Sequence, residues 1–257
     1  MIKLTDTHAH YDDDAFDNDR EELLTRLFEE SVGKIITVGC AQKRWQPTIA
    51  LTERFEGMFG ALGLHPEDIS DAGEDWEAEL KELLTRTKIK ALGEIGLDYH
   101  YENYDREMQI KFFRRQIAIA KETDMPIIIH SRDATEDTMN ILRELRPQKA
   151  VMHCFSGSAE TARELVAMGL YISFTGVLTF KNAKRAISAC EAIPTDRLML
   201  ETDCPYMSPV PLRGERCDSS MIRYTAAKMG EIKGFGAEEM IDICNKNAER
   251  FFGFETT

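Results

Sequence analysis

Three observations predict an α/β fold and, within that class, a TIM (β/α)8 barrel filling residues 1–257 as one domain. Eight short apolar or β-branched runs alternate with longer amphipathic segments, and no long linker or low-complexity stretch interrupts the series. The length, 257 residues, suits one barrel, which typically takes about 250. The competing doubly wound sheet needs a glycine-rich phosphate turn after its first strand, and here that run ends in Thr7-His8-Ala9-His10.

In chain order, strand-like run 2–8 leads to helix-like segment 18–31, run 34–40 to 43–55, and run 58–64 to 76–87. Run 89–95 leads to 105–123, run 126–130 to 134–145, run 150–153 to 159–168, and run 170–175 to 181–192. The eighth run, 197–203, is followed by helical tail segments 219–232 and 237–252. Ser158 with Glu160, and Asp196 near the last strand, offer acceptors to the free donors of helix starts. Gly33, Gly169 and Gly234 follow helical runs, where a left-handed cap is expected.

Lys plus Arg number 32 and Asp plus Glu 45, a formal charge of −13. Such a surface repels bulk nucleic acid and anionic membranes, whose affinity comes largely from Lys and Arg contacts. A nucleic-acid substrate therefore requires a locally cationic site, and bound divalent ions make one. Six cysteines form no Cys-x-x-Cys pair, and no secretory leader or membrane-length apolar run is visible in the sequence. The expectation is a soluble cytoplasmic protein with reduced thiols, no membrane association and no implied stable protein partner.

All six histidines can be placed on this strand map. His8 and His10 close the first strand, His65 follows the third, His130 ends the fifth, His153 ends the sixth, and His100 lies in the loop after the fourth. Glu94 sits near the end of the fourth strand and Asp203 ends the eighth. In a barrel, the strand C-termini form one rim, which carries the active site, so these groups converge on one mouth. Residues two apart on a strand share a face, so His8 and His10 both point inward, as a pair of imidazoles for one first-row metal. Glu94, among small and apolar neighbours, must be paired, protonated or metal-bound, and its two oxygens can bridge two cations where an imidazole cannot. His130 and His153 end aliphatic runs on adjacent strands, which makes ligands of residues that singly read as core histidines.

Alternation turns Glu201 and Asp203 inward together, and two such carboxylates need a cation or proton between them. Asp203, further up, is the expected ligand; Glu201 and Asp6 are either supporting groups or buried structural pairs. His65 is expected to hydrogen-bond substrate, with turn-capping as its alternative, and His100 to face solvent. Cys154 and Cys204 alternate away from the mouth. Arg132, Lys181, Lys184, Arg185, Arg213 and Arg216 follow strands five, seven and eight on the ligand-bearing face, where cations can receive phosphate oxygens. Lys184 and Arg185 read as a solvated helix start, and Arg213 is the better phosphate candidate.

Six ordered motifs carry a family resemblance: Asp6-Thr7-His8-Ala9-His10, Gly63-Leu64-His65-Pro66, Gly93-Glu94-Ile95-Gly96-Leu97-Asp98-Tyr99, Ile129-His130-Ser131-Arg132-Asp133-Ala134, His153-Cys154-Phe155-Ser156-Gly157 and Glu201-Thr202-Asp203-Cys204-Pro205-Tyr206. From residue 3 to the closing Asn247-Ala248-Glu249-Arg250-Phe251-Phe252-Gly253, the chain resembles the TatD family of metal-dependent deoxyribonucleases, within the amidohydrolase superfamily. The resemblance implies a TIM barrel of the metallo-dependent hydrolase type with one to three divalent ions at the strand C-termini. By position, His8, His10, Glu94 and Asp203 would hold one ion and Glu94, His130 and His153 another, with His65 and Arg132 beside the substrate. It also implies hydrolysis of DNA phosphodiesters, including 3′→5′ exonuclease action on single strands and repair of damaged DNA. Many members continue Asn-Glu-Pro after Pro211-Leu212-Arg213-Gly214-Glu215-Arg216, where this chain has Cys217-Asp218-Ser219; no ligand is lost.

The expected activity is that of a deoxyribonuclease with two divalent ions (zinc, manganese or magnesium), acting on single-stranded DNA. Asp203 takes the proton of the attacking water, Glu94 holds the ion pair together, and His65, Arg132 and Arg213 contact substrate. A competing reading is an amidohydrolase or lactonase cleaving a small ester or amide on the same barrel. Such enzymes commonly bridge their metals with a carboxylated lysine, where this chain has Glu94. A non-enzymatic metal-bound scaffold is the third reading, and it has no need of an open two-metal mouth.

Overall fold

The computed structural model describes residues 2–254, and its backbone closes on itself through eight parallel strands. They are β1 (Leu4–Ala9), β2 (Val32–Gly39), β3 (Met58–Leu62), β4 (Ile89–Asp98), β5 (Ile127–Arg132), β6 (Ala150–Met152), β7 (Tyr171–Phe174) and β8 (Leu198–Leu200). Each pairs with its sequence neighbours in the order β1 to β8. The seam between β8 and β1 closes beyond the end of β8: Ala9 bridges Cys204, the Asp203 amide donates to His8 O at 2.9 Å, and the His10 amide donates to Cys204 O at 2.8 Å. Helices α1 (Arg20–Glu30), α2 (Gln42–Arg54), α3 (Trp76–Leu83), α4 (Arg106–Glu122), α5 (Thr135–Leu145), α6 (Ala159–Ala167), α7 (Lys184–Ala192) and α8 (Ile222–Lys233) follow the strands in turn, with α9 (Ala237–Phe252) at the end. This is the predicted TIM barrel.

Strand alternation divides the apolar residues between two cores. Ile36, Val38, Phe59, Ala61, Ala91, Ile128, Val151, Tyr171 and Met199 form one cluster, continuous with Phe251, Phe252 and Phe254 at the end of α9. Their sequence neighbours Ile35, Met58, Leu92, Ile127, Ile129, Ile172 and Leu198 belong to the other, with the helices' Leu24, Trp45, Leu80 and Phe113. Each fully buried Ile or Leu contributes about 1.5–3 kcal/mol of apolar transfer, so these layers hold the barrel and fill its interior below the mouth.

Three sequence expectations need correction. Gly33 does not cap α1; Ser31 does, with φ −145°, and Gly33 lies inside β2, because strand pairing with β1 begins already at Val32. Asp196 caps nothing: it sits within a short 3-10 turn, Thr195–Arg197, whose preceding residue is Pro194. The eighth strand stops at Leu200, and Asp203 stands beyond it with φ +62°. Gly169 and Gly234 do take left-handed conformations, at φ +94° and +78°, and Ser158 caps α6 by accepting from the Thr161 amide.

Candidate metal centre

Glu94 owes its inward position to an irregularity in β4. Between Leu92 and Ile95 the register with β5 slips: those residues pair with Ile127 and Ile129, so three steps on one strand match two on the other. Such a bulge redirects a side chain, and bulges concentrate beside active sites. Leu92, Ile95 and Leu97 stay in the helix-facing core while Glu94, buried and 3% exposed, turns into the mouth.

Its two oxygens then serve different histidines. Glu94 Oε2 lies 3.2 Å from His8 Nε2 and 3.9 Å from His10 Nε2, and His10 Nε2 is 3.2 Å from Asp203 Oδ1. Glu94 Oε1 lies 2.7 Å from both His130 Nδ1 and His153 Nε2, which are 3.3 Å apart. Among the described residues every ion-pair partner of Glu94 and of Asp203 is a histidine. Burial works to raise the Glu94 carboxyl, but facing His153 and His8 and the bonds from His130 and His153 outweigh it and hold the group well below the usual carboxylate range. Burial works against the charged form of His153, yet Glu94 and Glu201 drive it well above the ordinary imidazole value.

That donor set fits divalent ions. Lone pairs on ring nitrogens and carboxylate oxygens at 2.7–3.9 Å repel unless protons or cations lie between them. Imidazole nitrogen with carboxylate oxygen suits zinc and manganese, and carboxylate also suits magnesium. Two groupings, His8–His10–Glu94 and Glu94–His130–His153, each bring three such atoms within 4.8 Å of one another.

The surrounding contacts fix ring orientation. His10 Nδ1 is 3.2 Å from Val38 O, and His8 stacks on His153 with centroids 4.1 Å apart. Glu201 accepts from the Cys154 amide at 2.5 Å and the Ser173 hydroxyl at 2.6 Å, and its Oε1 is 3.5 Å from His153 Nδ1. It supports His153 from behind. His65 caps its own turn and also faces the mouth. Its Nδ1 accepts the Glu67 amide at 3.2 Å, which leaves the proton on Nε2, 3.8 Å from Glu94 Oε1. Burial pushes this imidazole down to about 3, so it faces the mouth as a neutral donor.

Sequence reasoning missed Asp98, Cys40 and two glutamines. Asp98 Oδ2 is 3.0 Å from His130 Nε2, so His130 is held between Asp98 and Glu94. Asp98 lies four residues after Glu94 on the same strand, hence on its face, and that period was the available signal. Cys40 Sγ, at the end of β2, donates to Glu94 Oε2 at 3.6 Å, and burial pushes the thiol up to about 12. Gln109 and Gln116 are seven apart on α4, hence on one face. Gln109 brackets the Asp98 backbone at 2.8 and 2.9 Å, and Gln116 brackets that of Leu64 at 2.8 and 3.0 Å, fixing the end of β4 and the loop after β3.

The candidate phosphate cations separate. Arg132 ends β5 two residues past His130, exposed, with its guanidinium 5.4 Å from the Tyr101 ring centroid. Arg213 lies 3.8 Å over the Phe180 ring. Arg216 instead makes a bidentate pair with Asp19 at 2.6 and 2.8 Å, while Lys181, Lys184 and Arg185 are exposed. His100 is exposed, with Nδ1 2.9 Å from Asp133. A cavity of about 830 Å³ opens at the far end of the barrel, lined by residues including Lys3, Lys88 and Phe254. Its Lys3 and Lys88 donate to the carbonyls of Phe28, Phe55 and Glu56 and close helix ends.

Cys217-Asp218-Ser219 packs against β1. Asp218 accepts from the Ser220 amide, and the Ser219 hydroxyl donates to Asp6 at 2.6 Å and meets Tyr11 Oη at 2.9 Å. Asp6 also accepts from the Thr202 hydroxyl at 2.6 Å, yet burial pushes its carboxyl up to about 7. Asp6 thus ties β1 to the segment that carries Asp203, as a structural pair. Ser219→Ala leaves that buried carboxylate one donor short and is expected to lower unfolding free energy by roughly 1–3 kcal/mol in urea titration. An unchanged midpoint would contradict this role.

Barrel and donor set together define the class of metal-dependent hydrolases. The model of the family described as "TatD related DNase" matches residues 5–253. The chain belongs to the TatD family. It is 43% identical over 251 residues to the metal-dependent hydrolase YabD of Bacillus subtilis (strain 168), covering 97% of this chain and 98% of that one. The crystal structure of YJJV, a TatD homolog from Escherichia coli K12, superposes with a TM-score of 0.91 at 30% identity, covering 97% of this chain and 98% of that one. An organophosphorus hydrolase variant from Deinococcus radiodurans, 16% identical with a TM-score of 0.60 over 97% of this chain and 93% of its own, shares the fold. No helix among the described residues is long and apolar enough to cross a membrane.

Proposed function

We propose that this chain, acting as one domain over residues 1–257, is a deoxyribonuclease with two divalent ions, removing nucleotides from the 3′ end of single-stranded DNA. The observation that carries the reading is the division of the Glu94 carboxylate, one oxygen toward His8 and His10, the other toward His130 and His153. His8, His10, Glu94 and Asp203 would hold one ion, and Glu94, His130 and His153 the other. Bound there, divalent ions supply charge stabilisation at a phosphoryl group and acidify water. Asp203, 9% exposed and held against His10, is the residue open to the mouth that can take the proton from the attacking water. His65 donates its Nε2 proton to a substrate oxygen, and Arg132 and Arg213 receive phosphate oxygens. Six free thiols, four of them buried, suit the reducing cytoplasm.

The test strips the purified protein with chelator, restores zinc, manganese or magnesium, and follows 5′-labelled single-stranded DNA on a sequencing gel. A metal-dependent ladder shortening from the 3′ end is expected. Absence of cleavage with every metal, in protein shown by elemental analysis to hold two ions, would overturn the reading and favour a small ester or amide substrate.

A further inference from the structure

Exposed apolar side chains fall almost entirely on the rim of the mouth. Among the described residues, seven large hydrophobic side chains are exposed, and six of them lie in or beside two loops. Tyr101, Tyr104 and Met108 follow β4; Tyr206, Met207 and Val210 follow β8. In a closed ring of eight strands, β4 and β8 stand four strands apart in either direction, so the two patches face each other across the opening. Glu94 rises on β4 and Asp203 follows β8, which places the metal-ligating groups between them.

Each side of the mouth carries exposed aromatic faces and a guanidinium. On the β4 side, Tyr104 stacks on Tyr99 with centroids 4.6 Å apart and planes 12° apart, and Arg132 lies 5.4 Å from the Tyr101 centroid. Tyr101 is 53% exposed and Tyr104 43%. On the β8 side, Tyr206 is 54% exposed with its hydroxyl donating to Asp13 at 3.1 Å, and Arg213 covers Phe180. Arg132 follows His130 by two residues on β5 and so shares its side of the strand.

Flat apolar faces beside guanidinium groups, astride a phosphodiester-cleaving centre, suit a polyanion that presents flat faces of its own. Unpaired nucleotides do so, whereas a duplex keeps its base faces stacked inside. We propose that Tyr101 with Tyr104, and Tyr206 opposite, are base-stacking shelves that grip unpaired nucleobases on either side of the scissile phosphate, and that they set the preference for single strands. The inference rests on the nuclease reading above and assigns the residues that select its substrate. Stacking on aromatic side chains tolerates any base, so the shelves confer strand selectivity without sequence selectivity.

The test compares kcat/KM of the manganese-loaded protein on a single-stranded oligonucleotide and on one of equal length whose nucleotides are abasic. The wild type is expected to favour the base-bearing strand by roughly 10- to 100-fold, given the strength of base–aromatic stacking. In Tyr101→Ala/Tyr206→Ala that ratio is expected to collapse toward one, mainly through KM. Tyr101→Phe/Tyr206→Phe keeps both rings and is expected to retain the ratio. A ratio unmoved by the alanine pair, or lost equally in the phenylalanine pair, overturns the shelves while leaving the nuclease reading intact. Absence of turnover by the wild type on either strand sinks the nuclease reading and the shelves with it.

Discussion

Glu94→Ala is expected to fold and to lose metal-dependent hydrolysis, with kcat/KM falling on the order of 10³-fold or more. Charge stabilisation by a metal pair contributes several kcal/mol in the transition state, and each 1.36 kcal/mol is tenfold in rate. Among the described residues, Glu94 is the one carboxylate whose two oxygens reach both histidine pairs, at 2.7 Å on one side and 3.2 Å on the other. Truncation removes the group shared by the two sets, so ion content by elemental analysis is expected to fall together with turnover. The fold survives because the strand's outward residues, Leu92, Ile95 and Leu97, remain buried. Glu94→Gln separates shape from charge: an amide has one acceptor oxygen, so it can serve one side only. Near-normal metal-dependent turnover in either variant, with unfolding temperature as the check on folding, would disprove the bridging role.

Much of this site was legible because a barrel converts strand position into spatial position. His8, His130 and His153 end strand-like runs, and any fold that gathers strand C-termini on one rim must bring them together. The mouth's finer construction was not legible, for identifiable reasons. Plain alternation from Leu92 puts Glu94 on the side of the helices; the extra residue in β4, a property of pairing with β5, turns it inward. Asp203 reaches His10 from a left-handed residue beyond the last strand, held there by its amide bond to His8 O and by Thr202 on Asp6, none of which a strand pattern encodes. Gln109 and Gln116 read as ordinary polar positions of an amphipathic helix, and their task shows only once the Asp98 and Leu64 backbones lie against α4. Arg216 had the right address but a nearer carboxylate, Asp19, than any substrate.

Gly96→Ala is expected to be the most damaging small substitution in the barrel, because the methyl group has nowhere to go. A Cβ at Gly96 would lie 1.9 Å from the His130 carbonyl oxygen and 2.8 Å from its carbon, both backbone atoms, and φ there is +153°. Relief requires parting β4 from β5 at the pair Gly96–His130, which is also the point where Asp98 holds the His130 ring. The loss therefore reaches stability and site together: above about 3 kcal/mol in urea titration, the range reserved for strain or a broken core, and with ion binding lost alongside. Gly60→Ala is the matched control. Its added Cβ meets the terminal Cδ1 of Ile89 at 2.6 Å, a flexible methyl that can rotate away. A Gly96→Ala protein as stable as Gly60→Ala and still holding two ions would show that β4 and β5 part at no cost to the centre, and that the close approach of the two strands does not position His130.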